Sequence, residues 1–403
     1  MDIEPQTILL NEPEPGTDGG EPRVFGVPRT VLVLSGTHGV NDVFMNMYAP
    51  LLPTFIPLLG LSLTAAGTIA AAIQIAGSIG QLLFGPLADR WRPRVLAVLG
   101  PLVAVGVTSL AGLATTPLML GTILVVGCFG SAAFHPTAAA IVNRIGGARR
   151  GTAMSLHVTG GAIGNAIAPM LFAPYVAVFG LKRTPWLALP ALLALYLILR
   201  RVPEVKLSQG HGPTGFRALQ PYAAPLGLLW AAVVLRTMVA TGYSTYLPVL
   251  MTQRGMSMTE AGFAVGAYLV AGSVGGLIGG PLADRFGPRR VIAWTLALSV
   301  PLLPAALVVP GPAGLALLTA GGFFLGSTLP VNVAYAHAIA PVATGTVSSL
   351  MLGVAWGVGG LAVPLVGKVG DTLGITTALL GLGVLPAVAA ALTLRLPERA
   401  SHA

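Results

Sequence analysis

Three polar residues close together in an apolar stretch open the chemical reading of this chain: His38, Asn41 and Asp42, in the order His-x-x-Asn-Asp. On a helix, residues spaced i, i+3 and i+4 share a face, so an imidazole, a carboxamide and a carboxylate stand side by side. Such a group can take up and release a proton, ligate a cation or bond a polar solute. Asp42 lies about 20 Å along a helix that starts near Arg29, at about 1.5 Å per residue. His135 stands between Phe134 and Pro136, Arg236 lies deep in another apolar stretch, and Asn332 and His337 share a third. Asp42 is the leading candidate for proton exchange, with His38 and His135 as its companions. Arg236 is the leading candidate for an anionic partner, either a ligand or Asp42 itself, and a static Asp42 to Arg236 ion pair is the plain alternative. Asn41, Asn332, His337, Tyr243 and Tyr246 complete the ligand-contact candidates, although tyrosines near helix ends commonly serve as interfacial anchors. His135 can equally bond the turn that Pro136 breaks, and His157, beside Gly160, Gly161 and Gly164, reads first as helix packing. These histidines and Asp42 are spread too widely in sequence for a compact metal motif, and no cofactor is expected.

The elements that carry these residues belong in a bilayer. Of 403 residues 54% are hydrophobic and 9% charged, against about 25% charged in an ordinary soluble domain. Six of the 13 acids (Asp2, Glu4, Glu12, Glu14, Asp18 and Glu21) precede Arg23, in a Pro- and Gly-rich stretch expected to be a disordered tail over 1–26. The rest of the chain holds 22 Lys and Arg against 7 acids. These bases flank apolar segments and form no basic stripe with interleaved aromatics, which argues against a nucleic-acid partner. Cys128 is the only cysteine, so disulfides and thiolate metal clusters are excluded.

A spanning helix needs about 20 mostly apolar residues. The sequence supplies such segments at 29–58, 64–89, 94–114, 116–143, 151–180, 184–200, 223–252, 259–284, 290–310, 312–339, 343–370 and 374–396. The prediction is an all-α membrane protein of twelve spans with both termini on one side. Seventeen Lys and Arg flank that side and four (Lys182, Arg183, Arg254 and Lys368) the other, so the positive-inside tendency puts the termini in the cytoplasm. Residues 27–200 and 222–397 then form two six-helix bundles, with a cytoplasmic linker at 201–221 and a short tail at 398–403.

The chain is also duplicated at one offset of 195 residues. Gly85-Pro-Leu-Ala-Asp89-Arg90 recurs as Gly280-Pro-Leu-Ala-Asp284-Arg285, Tyr48 and Pro53 recur as Tyr243 and Pro248, and Gly164 and Pro169 recur as Gly359 and Pro364. One register held across three helix pairs marks two copies of a six-helix unit. Parallel copies in one membrane suggest a pseudo-two-fold pair enclosing a midplane site. In each copied loop, the glycine is expected to let helices approach, and the Asp and Arg to pair as a cytoplasmic gate; setting topology is their plainer use.

That loop resembles the signature of the major facilitator superfamily, G-x-L-a-D-r-x-G-r-k. Residues 280–290, GPLADRFGPRR, follow it closely, and residues 85–94, GPLADRWRPR, follow it except that Arg92 replaces the second glycine. The resemblance implies a secondary transporter whose first, fourth, seventh and tenth spans line a central cavity. His38-x-x-Asn41-Asp42, Gly130-Ser-Ala-Ala-Phe134-His135-Pro136 and Gly160-Gly161 with Gly164 and Pro169 are similar to the fosmidomycin-resistance group of bacterial drug-efflux proteins. Pro330, Pro341, Gly359-Gly360 and Asp371 extend the similarity into the second half. It implies a proton-driven exporter in the bacterial cytoplasmic membrane, whose partners are a small solute, protons and lipid, and which acts as a monomer. Thr137 and Ala140 stand where that group carries an acid and an arginine, so the class carries over better than the named drug. An importer or uniporter on the same fold, a divalent-metal exporter, a ligand-triggered receptor and an intramembrane enzyme are the rivals. The last lacks a nucleophile motif.

Overall fold

The computed structural model describes residues 22–24, 26–90, 92–199, 202 and 216–398. Most of the two expected tails and of the linker, the side chains of Asp89 and Arg90, and the surroundings of Gly85 lie outside what the structure describes. A short hairpin, Arg23–Val24 against Val27–Pro28, stands where the expected tail ends, and a 3-10 helix, Phe216–Tyr222, stands where the expected linker ends.

The first half comprises α1 (Arg29–Met45), α2 (Tyr48–Leu59), α3 (Leu63–Arg90), α4 (Pro93–Ser109), α5 (Pro117–Gly146), α6 (Arg150–Phe179) and α7 (Thr184–Leu199). The second comprises α8 (Ala223–Gln253), α9 (Met258–Phe286), α10 (Pro288–Val308) and α11 (Gly311–Ile339), then α12 (Thr344–Ser348), α13 (Ala355–Gly360), α14 (Ala362–Leu373), α15 (Ile375–Leu382) and α16 (Leu385–Thr393). Among the described residues, ten helical segments are long and apolar enough to cross a membrane. The two other expected spans are the interrupted pair α1–α2 and the 16-residue α7.

The first span was expected to be continuous, yet it breaks at Asn46–Met47. Pro50 has no N–H to offer the Asn46 carbonyl and its ring collides with that carbonyl in a helix, so the chain restarts with Pro50 in the first turn of α2. The eleventh span holds a second irregularity, a π-helical turn over Ser349–Val354 between α12 and α13. There the Ser78 hydroxyl of α3 donates to the Gly353 carbonyl at 2.9 Å.

The halves meet along α3 against α13 and α14, α6 against α9, and α2 against α8. Calling the end that carries Arg29 and Thr393 the terminal end, these contacts concentrate at the opposite, distal end. Thr54 meets Met258, Pro169 meets Gly262, and Leu63 meets Gly367 there. Nearer the terminal end, the Ser78 to Gly353 bond also joins the halves. Past it, Leu82 and Leu83 of α3 are exposed. The halves are thus closed on one another at the distal end.

In the second copy of the repeated loop, the close helix approach expected of the glycine is made elsewhere. A β-carbon on Gly280 would meet nothing within 4 Å, so close helix approach does not depend on it. The approach is made earlier on α9, where β-carbons at Gly275 and Gly279 would collide with the Phe323 and Ser327 carbonyls of α11. Asp284 is exposed, and the Arg285 guanidinium lies 5.1 Å from the ring centre of its neighbour Phe286. Neither makes an ion pair with the other half among the described residues.

Candidate functional site

The sequence candidates gather around one carboxylate in the first half. Asp42 of α1 is 8% exposed, and its two oxygens face two imidazoles: Oδ2 lies 3.4 Å from His38 Nε2 and Oδ1 lies 3.2 Å from His135 Nε2 of α5. Asn41 Nδ2 donates to Asp42 Oδ1 at 3.0 Å and to Ser131 Oγ at 2.8 Å. From α6, Asn165 Nδ2 reaches Asp42 Oδ2 at 3.5 Å. The His38 ring lies 4.7 Å from that of His135 and 4.4 Å from that of His157, centre to centre, with Phe134 against the group.

Local packing fixes this arrangement. α1 lies directly on the glycine face of α6, where β-carbons at Gly160 and Gly164 would strike the carbonyls of Ser35 and Gly39. That proximity lets His38 Nδ1 donate to the His157 carbonyl at 2.9 Å. On α5, Pro136 occupies the helix interior, and His135 Nδ1 donates to the Ser131 carbonyl at 2.8 Å, one turn back. A carbonyl oxygen can only accept, so His38 Nδ1 carries hydrogen; His135 Nδ1 also lies 3.1 Å from the Ser131 hydroxyl, and in the tautomer that donates to the Ser131 carbonyl both rings present Nε2 alone to Asp42. With neutral rings and an ionised carboxylate, two lone pairs would point at a third acceptor. Each contact becomes a hydrogen bond only when an added proton sits on Nε2 or on the carboxyl group. The backbone thereby builds a site that calls for positive charge.

The three donor atoms of His38, Asp42 and His135 lie within 4.8 Å of one another, closer than their sequence separations suggested. A transition metal would need both Nε2 atoms bare, and Nδ1 bonds to carbonyls favour that state, so a proton and a divalent cation compete for the same contacts. His135 is the open edge of the group, its side chain 28% exposed against 11% for Asp42 and for His38.

The other candidates lie elsewhere. Arg236 of α8 is buried, and its Nε donates to the Leu325 carbonyl of α11 at 3.3 Å; no carboxylate pairs with it among the described residues. Asp42 therefore finds its partners within its own half rather than in Arg236. Asn332 is buried with its Oδ1 unbonded, and His337 Nε2 lies 3.0 Å from Ser348 Oγ of α12. Tyr243 and Tyr246 do not offer their hydroxyls to a ligand. Both are fully buried, Tyr243 bonded to the Leu379 carbonyl at 3.1 Å and Tyr246 within 3.0 Å of the Leu63 and Val363 carbonyls. Ser131, Asn165 and Asn46, which bonds both the Asp42 carbonyl and Asn165, join the cluster without having been foreseen. Their one signal in the sequence is polarity inside apolar helices.

Gly161 gives a test of the packing, because its β-carbon would collide with the His38 ring. Gly161→Ala is expected to displace that ring from Asp42 and reduce solute flux several-fold, with a melting temperature within a few degrees of the parent. An unchanged flux would show that His38 need not stay in place.

A helical chain duplicated in register, with buried ionisable groups and halves that close on one another at one end, defines a multi-pass membrane transport protein. Residues 34–258 and 229–403 match the Major Facilitator Superfamily, and the chain belongs to that family. Its relatives set it in the fosmidomycin-resistance-like group. It is 28% identical over 351 residues to the fosmidomycin resistance protein of Escherichia coli, covering 84% of this chain and 85% of that one. It is 29% identical over 378 residues to the uncharacterized MFS-type transporter YfnC of Bacillus subtilis, covering 88% and 90%. Among solved structures, a bacterial homologue of the human lysosomal transporter Spinster, inward-facing and unoccupied, superposes with a TM-score of 0.78 at 18% identity, covering 90% of this chain and 95% of that one.

Proposed function

We propose that this protein is a proton-coupled exporter, exchanging a small anionic drug-like or metabolite solute for protons by alternating access. In this reading it acts as a monomer in a bacterial cytoplasmic membrane, with both termini in the cytoplasm. The observation that carries the proposal is the pair of imidazole Nε2 atoms aimed at Asp42 with each Nδ1 within 2.9 Å of a backbone carbonyl. A group that needs an added proton to satisfy its contacts, and that is reachable at His135, has the properties of a loading site. Arg236, buried and without a carboxylate partner among the described residues, supplies the reason to expect an anion, since a buried cation gains most from a ligand of opposite charge. The positive-inside count supports the orientation, and a relative named for fosmidomycin resistance supports export.

The test is flux in reconstituted vesicles carrying an imposed pH gradient, with a panel of organic anions that includes a phosphonate. Solute movement is expected to follow the gradient and to stop when a protonophore dissipates it. Accumulation that survives the protonophore would overturn coupling in favour of facilitated diffusion, and transport of divalent metal ions alone would overturn the organic-anion reading.

A further inference from the structure

The start of α3 is capped by an acid from the other half of the molecule. Ser62 does the local part: its carbonyl accepts from the Ala66 N–H and its hydroxyl from the Ala65 N–H, both at 3.0 Å. The Leu63 and Thr64 N–H groups then have no acceptor within their own half, as the first amides of any helix do. Asp371 of α14 takes both. Oδ1 accepts from Leu63 N at 2.8 Å, and Oδ2 accepts from Thr64 N at 2.9 Å and Thr64 Oγ1 at 2.6 Å. A carboxylate at this point gains charge-assisted bonds and the favourable end of the helix dipole.

Ownership makes the contact significant. The capped helix belongs to one half and the acid to the other, so the bonds exist only while the distal ends of the halves touch. Tyr246 adds a second tie at the same residue, its hydroxyl bridging the Leu63 carbonyl of the first half and the Val363 carbonyl of the second. Asp371, Leu63 and Thr64 differ from the Asp42 cluster in their setting. Asp371 is exposed, and its hydrogen bonds to Leu63 and Thr64 are exposed as well. Water is at hand to replace each bond that breaks, so separation does not strand a buried charge. A contact of this kind favours one state modestly and releases readily.

We propose that Asp371 is the distal latch of the transport cycle, a proposal that rests on the alternating-access reading above. It caps α3 when the distal end is shut, as here, and lets go before that end opens. Removing the carboxylate is expected to raise the ratio of distally open to distally shut molecules roughly fivefold, the usual worth of a helix cap. Spin labels at Leu118→Cys on α5 and Val308→Cys on α10, both exposed positions at the distal ends of the two halves, read that ratio as a distance distribution in a Cys128→Ala background. In that background Asp371→Ala should move population to the longer distance, Asp371→Asn should move less, and Lys368→Ala, one turn earlier on α14, should move none. Melting temperature of each variant checks folding, and Asp371→Asn serves if the alanine variant does not fold. Unshifted distributions in folded Asp371 variants, against a parent that populates both distances, would overturn the latch alone. A parent held at one distance under every gradient and ligand would overturn alternating access, and the latch with it.

Discussion

Replacing Asp42 by Asn abolishes gradient-driven solute movement and leaves a folded protein. The reason lies in how the site is satisfied. Asn is nearly the same size as Asp, and its carbonyl oxygen can still accept from Asn41. Its carboxamide N–H can donate to a bare histidine Nε2, which is the hydrogen that an added proton supplies in the parent. The variant amide gives a donor to His38 and leaves His135 Nε2 facing an amide oxygen, and the site has lost the acid that called for positive charge. Flux driven by an imposed pH gradient is expected to fall to the level of protein-free vesicles, while solute-for-solute exchange with no gradient persists. Both are measured in the same vesicles, so a defect in folding or insertion is seen as loss of exchange too. Undiminished gradient-driven accumulation by Asp42→Asn would sink the coupling role.

The largest effect on stability belongs to Gly164. A β-carbon there would collide with the carbonyl oxygen and carbon of Gly39, which are backbone atoms in the middle of α1 and cannot rotate away. Gly164→Val forces α1 and α6 apart along the interface that also holds His38 against the His157 carbonyl. Overpacking of this sort costs about 3 kcal/mol or more when backbone must move. The expected result is a sharp loss of folded yield and a melting temperature far below that of the parent in the same detergent. Gly227→Ala on α8, where a β-carbon would meet nothing within 4 Å, should melt like the parent. A normal melt for Gly164→Val would mean that the helices are not in contact as described.

How much of this could be read from the chain depended on the kind of signal. The duplication, the apolar spans and the His38 to Asp42 spacing are one-dimensional patterns, and periodicity alone makes them visible. The breaks at Asn46 and at Ser349–Val354 were not legible as breaks, because Pro50 also fits the first turn of a helix and a π-helical turn has no fixed composition. Asp42 and Arg236 lie at comparable depth in corresponding helices, which invited a pairing. Depth does not fix the direction a side chain takes around its helix, and each turns instead toward its own half, Asp42 to His135 and Arg236 to the Leu325 carbonyl. Ser131 and Asn165 carry no charge to draw notice, yet they bond the groups around Asp42. Tyr243 and Tyr246 looked available because a hydroxyl in an apolar helix wants a partner; carbonyls of neighbouring helices had already answered.

The π-helical turn at Ser349–Val354 bears on the symmetry of the duplicated chain. Each residue of an α-helix advances the azimuth by about 100°, and a π turn holds one residue more than the regular coil it replaces. The fifth span has no such insertion in α6, so the two copies agree in phase through Gly359 and Pro364 and fall out of phase below Ser349. Ser348, the neighbour of His337, lies beyond that step. In this helix pair the azimuthal register inherited from duplication thus holds toward the distal end and shifts by about 100° toward the terminal end.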